Sequence, residues 1–243
     1  MTFQFSVISG FILTLFIAVH KGSTGNDRMQ DDNIECYITD PVSSTIAFYW
    51  KDDNGNILGS IKNLKEFVES KHEKLLFAMN GGMYTRDNTP QGLYIDNYKT
   101  IVPLDTNRGD GNFYLKPNGV FYINEDNRPG ICSTRNFKNN GNIKWATQSG
   151  PMLLIDGEYH PAFKKSSNSL YIRNGVGILP GGRIVFAISK EKINFYHFAD
   201  YFKRLGCRNA LYLDGFVSRI YLPGKLEQLD GNFGVIIGIT ASR

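Results

Sequence analysis

The chain has 243 residues, 42% of them hydrophobic and 13% aromatic, ample for one core and short for two full domains. Lysine and arginine number 27 against 23 aspartate and glutamate, a net charge of +4 spread without long runs of one sign. Nucleic-acid binders concentrate basic residues on one face, so no nucleic acid is expected as a partner, whereas an anionic small substrate is compatible. The three cysteines, Cys36, Cys132 and Cys207, are too few for a disulfide scaffold and lack the C-x-x-C spacing of zinc or redox sites. An oxidising compartment would allow one pair, which spacing does not choose, and Cys207, between a helix and an apolar strand, reads as a small buried side chain.

The opening stretch, MTFQFSVISGFILTLFIAVHKGSTGN, is apolar from Phe3 to Val19 and then turns polar. It fits an export signal or a short membrane anchor over 1–25 and a linker over 26–35, ahead of a single domain over 36–243. No Lys or Arg precedes the apolar run and no clean A-x-A site follows it. The expected localisation is periplasmic or secreted, with residues 3–19 as a membrane tether if the segment is retained.

Ile46 to Trp50 reads as a strand, followed by a turn at Asp52 to Gly55 into another strand. Ser60 is placed to cap a helix carrying Ile61, Leu64, Phe67 and Val68 at helical spacing. Leu75 to Met79 is a short apolar strand ending in Asn80-Gly81-Gly82. Phe113, Leu115, Val120 and Tyr122 flank Lys116-Pro117-Asn118-Gly119, where Asn-Gly predicts a tight hairpin turn. Further hairpins are expected from Met152–Ile155 with Asp156-Gly157, and from Val176–Leu179 and Ile184–Ile188 around Pro180-Gly181-Gly182. A second helix carries Phe195, Phe198, Ala199, Phe202 and Leu205, ends at Gly206, and feeds Ala210 to Leu213 and then Asp214-Gly215. The fold class is therefore α+β, a β-rich, antiparallel sheet core with helices packed on it. The two helix–strand–polar–glycine units suggest an internal pseudo-symmetry that would make Asn80 and Asp214 equivalent.

A buried strand is a rigid platform, and a polar residue at its end points into whatever crevice lies beyond the sheet, while a following glycine lets backbone turn or approach a ligand. On that reading Asp214 is a fixed carboxylate at a cleft floor; the alternative is a turn in which the acid bonds its own backbone. Arg173, in RNGVG with Asn174 and Gly175, suits a bidentate hold on phosphate or carboxylate, or else pairs with a surface acid. Ser149, in QSGP, lacks the G-x-S-x-G frame of a nucleophile and reads as a hydrogen-bond donor. Of the four histidines, His160, in GEYHPAF, stands where it could face a ligand. No H-x-H, H-E-x-x-H or acidic calcium loop occurs, and no phosphate-binding glycine motif of a nucleotide site, so no metal ligand and no cofactor are assigned, although a divalent cation remains open.

Taken in order, FAMNGGMY (77–84), TPQGLYI (89–95), GNFYLKPNGVFYI (111–123), ATQSGPMLLIDGEYHPAF (146–163), RNGVGILPGG (173–182) and LGCRNALYLDGFVSR (205–219) resemble the phosphodiester glycosidase family, over roughly residues 40–240. The acid block is similar to that of the family's bacterial branch. Phe216 and Val217 stand where the family's uncovering enzyme, which removes N-acetylglucosamine from phosphodiester-linked mannose, has glycines, while Ser218 remains. The resemblance implies an exported hydrolase acting on a sugar joined through its anomeric carbon to phosphate, with a sugar phosphate or envelope glycan as substrate.

Ordinary glycosidases use two carboxyl groups. A phosphate monoester leaves as an already stabilised anion, so one carboxylate with several phosphate donors would suffice, and the residues fit that imbalance. Asp214 is assigned to the anomeric carbon or to water activation, and His160 to supplying a proton. Asn80, Gly81, Gly82, Ser149, Arg173, Asn174, Gly175, Gly215, Ser218 and Arg219 are assigned to substrate binding. The competing readings are a non-catalytic module that grips anionic glycan, a phosphodiesterase that cuts phosphorus–oxygen instead of carbon–oxygen, and a protein-interaction role at the envelope, against which the polar clusters at strand ends argue.

Overall fold

The computed structural model describes residues 31–214 and 217–242. The export segment and residues 26–30 of the linker lie outside the described residues, as do Gly215 and Phe216. In chain order the elements begin with β1 (Ile34–Thr39), β2 (Thr45–Tyr49), α1 (Ile61–Ser70), β3 (Glu73–Asn80), β4 (Tyr94–Asp96) and β5 (Lys99–Val102). They continue with β6 (Gly119–Asn124), β7 (Pro129–Ser133), β8 (Ile143–Ser149), β9 (Met152–Ile155), β10 (Glu158–Tyr159), β11 (Asn174–Ile178) and β12 (Ile184–Ser189). The last are α2 (Phe195–Arg204), β13 (Ala210–Tyr212), β14 (Ile220–Leu222), β15 (Leu226–Glu227) and β16 (Ile236–Ser242).

Among the described residues the strands form three antiparallel sheets, in the orders β1-β12-β11-β13-β9-β10, β15-β14-β3-β16-β2 and β5-β4-β8-β6-β7. Period-two alternation explains why the first two sheets are buried on both faces. In β12, Ile184, Phe186 and Ile188 enter the central core, while Val185 and Ala187 face α2. The central core is where all three sheets meet, and it holds a row of rings: Tyr37 on Phe77 at 4.7 Å, Phe77 on Phe186 at 4.9 Å, Phe186 by Phe121 at 6.0 Å and Phe121 by Phe48 at 5.4 Å. Each fully buried phenylalanine stabilises the fold by about 1.5–3 kcal/mol.

Each helix covers the outer face of one sheet. The Ser60 hydroxyl caps α1 by accepting from the Asn63 N–H at 3.1 Å, and Ile61, Leu64 and Val68 turn inward. The Asn194 side chain caps α2 by accepting from the His197 N–H at 3.0 Å; Phe198, Ala199, Tyr201 and Phe202 are buried, and Gly206 ends the helix at φ +84°. The units α1–β3 and α2–β13 both exist, but the sheets around them differ in strand number and order.

Three expectations need correction. The Asn118-Gly119 hairpin does not form. Residues Asn112–Tyr114 make a turn of 3-10 helix, the Asn118 Nδ2 donates back to Phe113 O at 2.9 Å, and β6 starts at Gly119 to pair with β7 and β8 instead. Asn118 spends its amide closing the preceding turn, so the local Asn-Gly signal is overridden. The turn at 52–55 leads only to an isolated bridge, Lys51 to Ile57, in place of a strand. The domain also begins earlier than residue 36, since β1 opens at Ile34 and pairs with Ser189. Cys36, Cys132 and Cys207 are free thiols; Cys207 is buried, and burial pushes its pKa up to about 12.

Candidate active site

Three strand ends from the first two sheets meet at one place. β3 runs out at Asn80, β11 starts at Asn174, and Asp214 follows β13. Because β11 and β13 are antiparallel, the start of one lies beside the end of the other. The Leu213 N–H donates to Asn174 O at 3.2 Å and the Asp214 N–H to Asn174 Oδ1 at 2.8 Å. Asn174 Nδ2 donates to Asn80 O and Oδ1 at 3.0 and 2.9 Å, and Asn80 Nδ2 to Asp214 Oδ2 at 3.4 Å. The three side chains are 1%, 0% and 5% exposed, so two buried amides position one carboxylate.

Backbone near the acid is pinned by hydroxyls. Ser149 Oγ donates to Leu213 O at 2.5 Å, while Ser218 Oγ lies 2.6 Å from Asp214 O and 3.2 Å from Ile172 O. Arg219 contributes its backbone N–H to Asn80 Oδ1 at 2.8 Å. Its guanidinium is engaged elsewhere, forked onto Asp230 at 2.7 and 2.8 Å, and that pairing holds the Asp230 carboxyl below the usual carboxylate range. The glycines serve packing. The Gly81 N–H donates to Val235 O at 2.7 Å. A Cβ at Gly82 would overlap Thr147 Oγ1 and stand 2.5 Å from Gln148 O, and one at Gly175 would stand 2.9 Å from Leu211 O.

Asp214 lines a cleft of about 480 Å³ together with Tyr84, Arg86, Gln91, Val217 and Asn232. Burial first, and the Asp214 charge second, push the Tyr84 hydroxyl up to about 12, which keeps it a hydrogen-bond donor at neutral pH. Arg86 is exposed and forms no ion pair among the described residues, so its charge is available to a ligand. The cleft thus joins one carboxylate, one free cation and a phenol.

Arg173 stands apart from that cleft. It is fully buried on the α2 side of the sheet, with Nε donating to Ile193 O and Nη2 to Ser169 O, both at 2.8 Å, and its guanidinium 3.6 Å over the Phe195 ring. Its link to the acid runs through Tyr212: burial raises that phenol's pKa, the Arg173 charge lowers it, and the Asp214 charge raises it. His160 lies at the other end of the same stack, its ring 4.8 Å from Phe163, which stacks on Phe195 at 4.9 Å. His160 Nδ1 accepts from the Ala162 N–H at 3.2 Å; Nε2 faces the Leu115 and Lys116 carbonyls without good hydrogen-bond geometry; and burial lowers its pKa, favouring the neutral ring.

Asn80, Asn174, Ser149, Ser218 and Asp214 therefore converge, Arg219 joins them through its backbone, and His160 and the Arg173 guanidinium are not among the described residues that line the Asp214 cleft. Tyr84, Arg86, Gln91 and Asn232 were not singled out by the sequence. Tyr84 closes the FAMNGGMY block and Arg86 falls between two blocks, so nearness to Gly81-Gly82 is the signal that could have found them. Asn232 carries none. Among the described residues no three His, Cys, Asp or Glu side chains gather as a metal site would require.

A family model described as phosphodiester glycosidase matches residues 73–232. Uncharacterized protein YigE of Escherichia coli (strain K12) is 39% identical over 192 residues, 79% of this chain and 75% of that protein. Among solved structures, the catalytic domain of zebrafish N-acetylglucosamine-1-phosphodiester alpha-N-acetylglucosaminidase is similar with a TM-score of 0.59 at 17% identity, over 86% of this chain and 84% of that one. A hypothetical protein from Synechocystis gives 0.56 at 13% identity, over 86% of this chain and 59% of its own. At such identities the structures share a fold. The span matched by the family model contains Asn80, Asn174 and Asp214, and the chain belongs to the phosphodiester glycosidase family.

Proposed function

We propose that the protein is an exported hydrolase that cleaves a sugar-1-phosphodiester on an envelope or extracellular glycan, with Asp214 as its catalytic carboxylate. The observation that carries this reading is the combination in one cleft of a fixed carboxylate and an unpaired guanidinium, Arg86. The volume of about 480 Å³ suits a sugar phosphate, since small-molecule sites run from roughly 300 to 1,000 Å³. Family membership supports the chemistry, and the apolar run from Phe3 to Val19 supports export or a membrane tether. Among the described residues no helix is long and apolar enough to cross a membrane.

In this mechanism the bond between the anomeric carbon and its oxygen breaks and the phosphate leaves with the electron pair. Arg86 neutralises the charge gathering on that phosphate, and the Tyr84 hydroxyl donates to an oxygen of the substrate. The Asp214 carboxylate stabilises the cationic carbon or takes a proton from the attacking water, whose oxygen ends on the sugar. The Asn80 amide holds the carboxylate in place, and the Asn174 amide holds Asn80 and the Asp214 backbone N–H. Arg173 and His160 are assigned as supports in this reading, because two of the three Arg173 guanidinium nitrogens are held by carbonyls, with Nη1 buried and without a hydrogen-bond partner among the described residues, and His160 is buried and favours its neutral form.

A panel of chromogenic sugar-1-phosphodiesters, including an N-acetylglucosamine ester, tests the reading. Turnover by the wild type, reduced about 10³-fold or more in Asp214→Asn with the melting temperature kept, is the expected result. Asp214→Asn turning over at near wild-type rate would overturn the assignment, and binding of the panel without any cleavage would favour the glycan-binding alternative.

A further inference from the structure

A second cavity, of about 790 Å³, shares no lining residue with the Asp214 cleft. Arg108, Lys116 and Arg135 line it, with Ser133, Pro117 and Phe137, and among the described residues no carboxylate does. The three cations come from separate pieces of chain: the segment after β5, the segment before β6 and the 3-10 turn Thr134–Asn136. All three are exposed. Arg108 and Arg135 form no ion pair among the described residues, and Lys116 Nζ donates to a neutral acceptor, Thr106 O, at 2.7 Å. Asp105, close by in sequence, is turned to the Tyr114 hydroxyl at 2.9 Å and the Asn107 N–H at 2.8 Å. Gathering three like charges in a concave surface costs free energy unless an anion neutralises them.

The wall of the cavity is pre-formed. Thr134 Oγ1 accepts from the buried Gln148 Nε2 at 3.1 Å, the Thr134 N–H donates to Asn118 O at 2.9 Å, and Asn118 is closed onto Phe113 O. Phe137, half-buried, and Pro117 add apolar faces of the kind on which a pyranose ring packs, and Ser133 adds a hydroxyl beside them. From this geometry we infer that the cavity is a binding site for a phosphorylated saccharide, separate from the Asp214 cleft, with the three cations on the phosphate and the sugar against Phe137. The inference concerns binding alone and stands whatever the chemistry at Asp214.

Amide NMR of the full chain, titrated with glucose 6-phosphate and in parallel with inorganic phosphate, tests it. The expected outcome is shifts at residues 106–108 and 133–137; shifts confined to residues 83–91 would overturn the proposal. Arg108→Gln combined with Arg135→Gln should weaken glucose 6-phosphate about tenfold or more while the spectrum stays dispersed, and unchanged affinity would overturn it. Inorganic phosphate should bind about fivefold more weakly than glucose 6-phosphate, with Phe137→Ala removing the difference. Equal affinity of the two in the wild type would contradict the saccharide assignment.

Discussion

The Asp214 cleft and the cationic cavity differ in how their charges are held. In the cleft Asp214 follows a strand of the first sheet, its carboxylate is reached by the Asn80 amide of β3 and its backbone N–H by the Asn174 amide of β11, and among the described lining residues the one cation is Arg86, on a loop. Among the described residues that line the cavity, each charge is on a long exposed side chain and none is an acid. A catalytic group must be fixed before the substrate arrives, which takes rigid strand ends and buried amides; a group that only neutralises phosphate can reach for it. Rigidity accompanies the acid, and mobility the cations.

The largest change that would break this contrast is at Arg86. If it holds the departing phosphate, Arg86→Gln lowers kcat/KM by about 10- to 100-fold, the worth of a charge-assisted hydrogen bond, with no loss of melting temperature because the residue is exposed. A change under threefold in steady-state kinetics would remove the cleft's cation from the mechanism.

Next is the amide that ties the sheets together. Asn174→Ala leaves Asn80 O and the Asp214 N–H without their partner, so both folding stability and kcat should fall: stability by about 1–3 kcal/mol per buried group in denaturant unfolding, kcat by about tenfold. Combined with Asn80→Ala the losses should be strongly non-additive, since Asn174 holds Asn80 and Asn80 holds the carboxylate. Additive losses would mean that the two amides work separately.

The smallest effect concerns His160. Burial lowers its folded-state pKa from the ordinary 6.5, so on acidification the unfolded chain takes up the proton first and stability falls. The stabilisation is present above about pH 6.5 and is lost as the pH drops towards the lowered value. Denaturation between pH 7.5 and 5.5 should therefore show a slope that His160→Phe flattens. Equal slopes in the two proteins would place the titration elsewhere.

Much of this layout is legible in the sequence. The caps Ser60 and Asn194, the apolar spacing of both helices and the alternation in β12 are local signals that packing reinforces. Asn80 and Asp214 stand out as polar residues ending apolar strands, and their meeting across 134 positions is what a shared pocket demands. Other features depend on tertiary partners. Arg173 looks like a phosphate ligand in RNGVG, but the aromatic rings against its guanidinium come from α2 and β13, and no local pattern reveals that packing. Asn118-Gly119 promises a turn until the Phe113 carbonyl claims the amide. Arg86 lies in a loop that is tied to a distant part of the chain, where the Asn88 amide donates to Asn232 Oδ1.

The central claim is that bond cleavage occurs at the anomeric carbon, above the Asp214 carboxylate. Hydrolysis of a sugar-1-phosphodiester by the wild type in oxygen-18 water, with both products read by mass spectrometry, tests it directly. The account predicts label in the sugar hydroxyl and none in the phosphate monoester; label in the phosphate would contradict it.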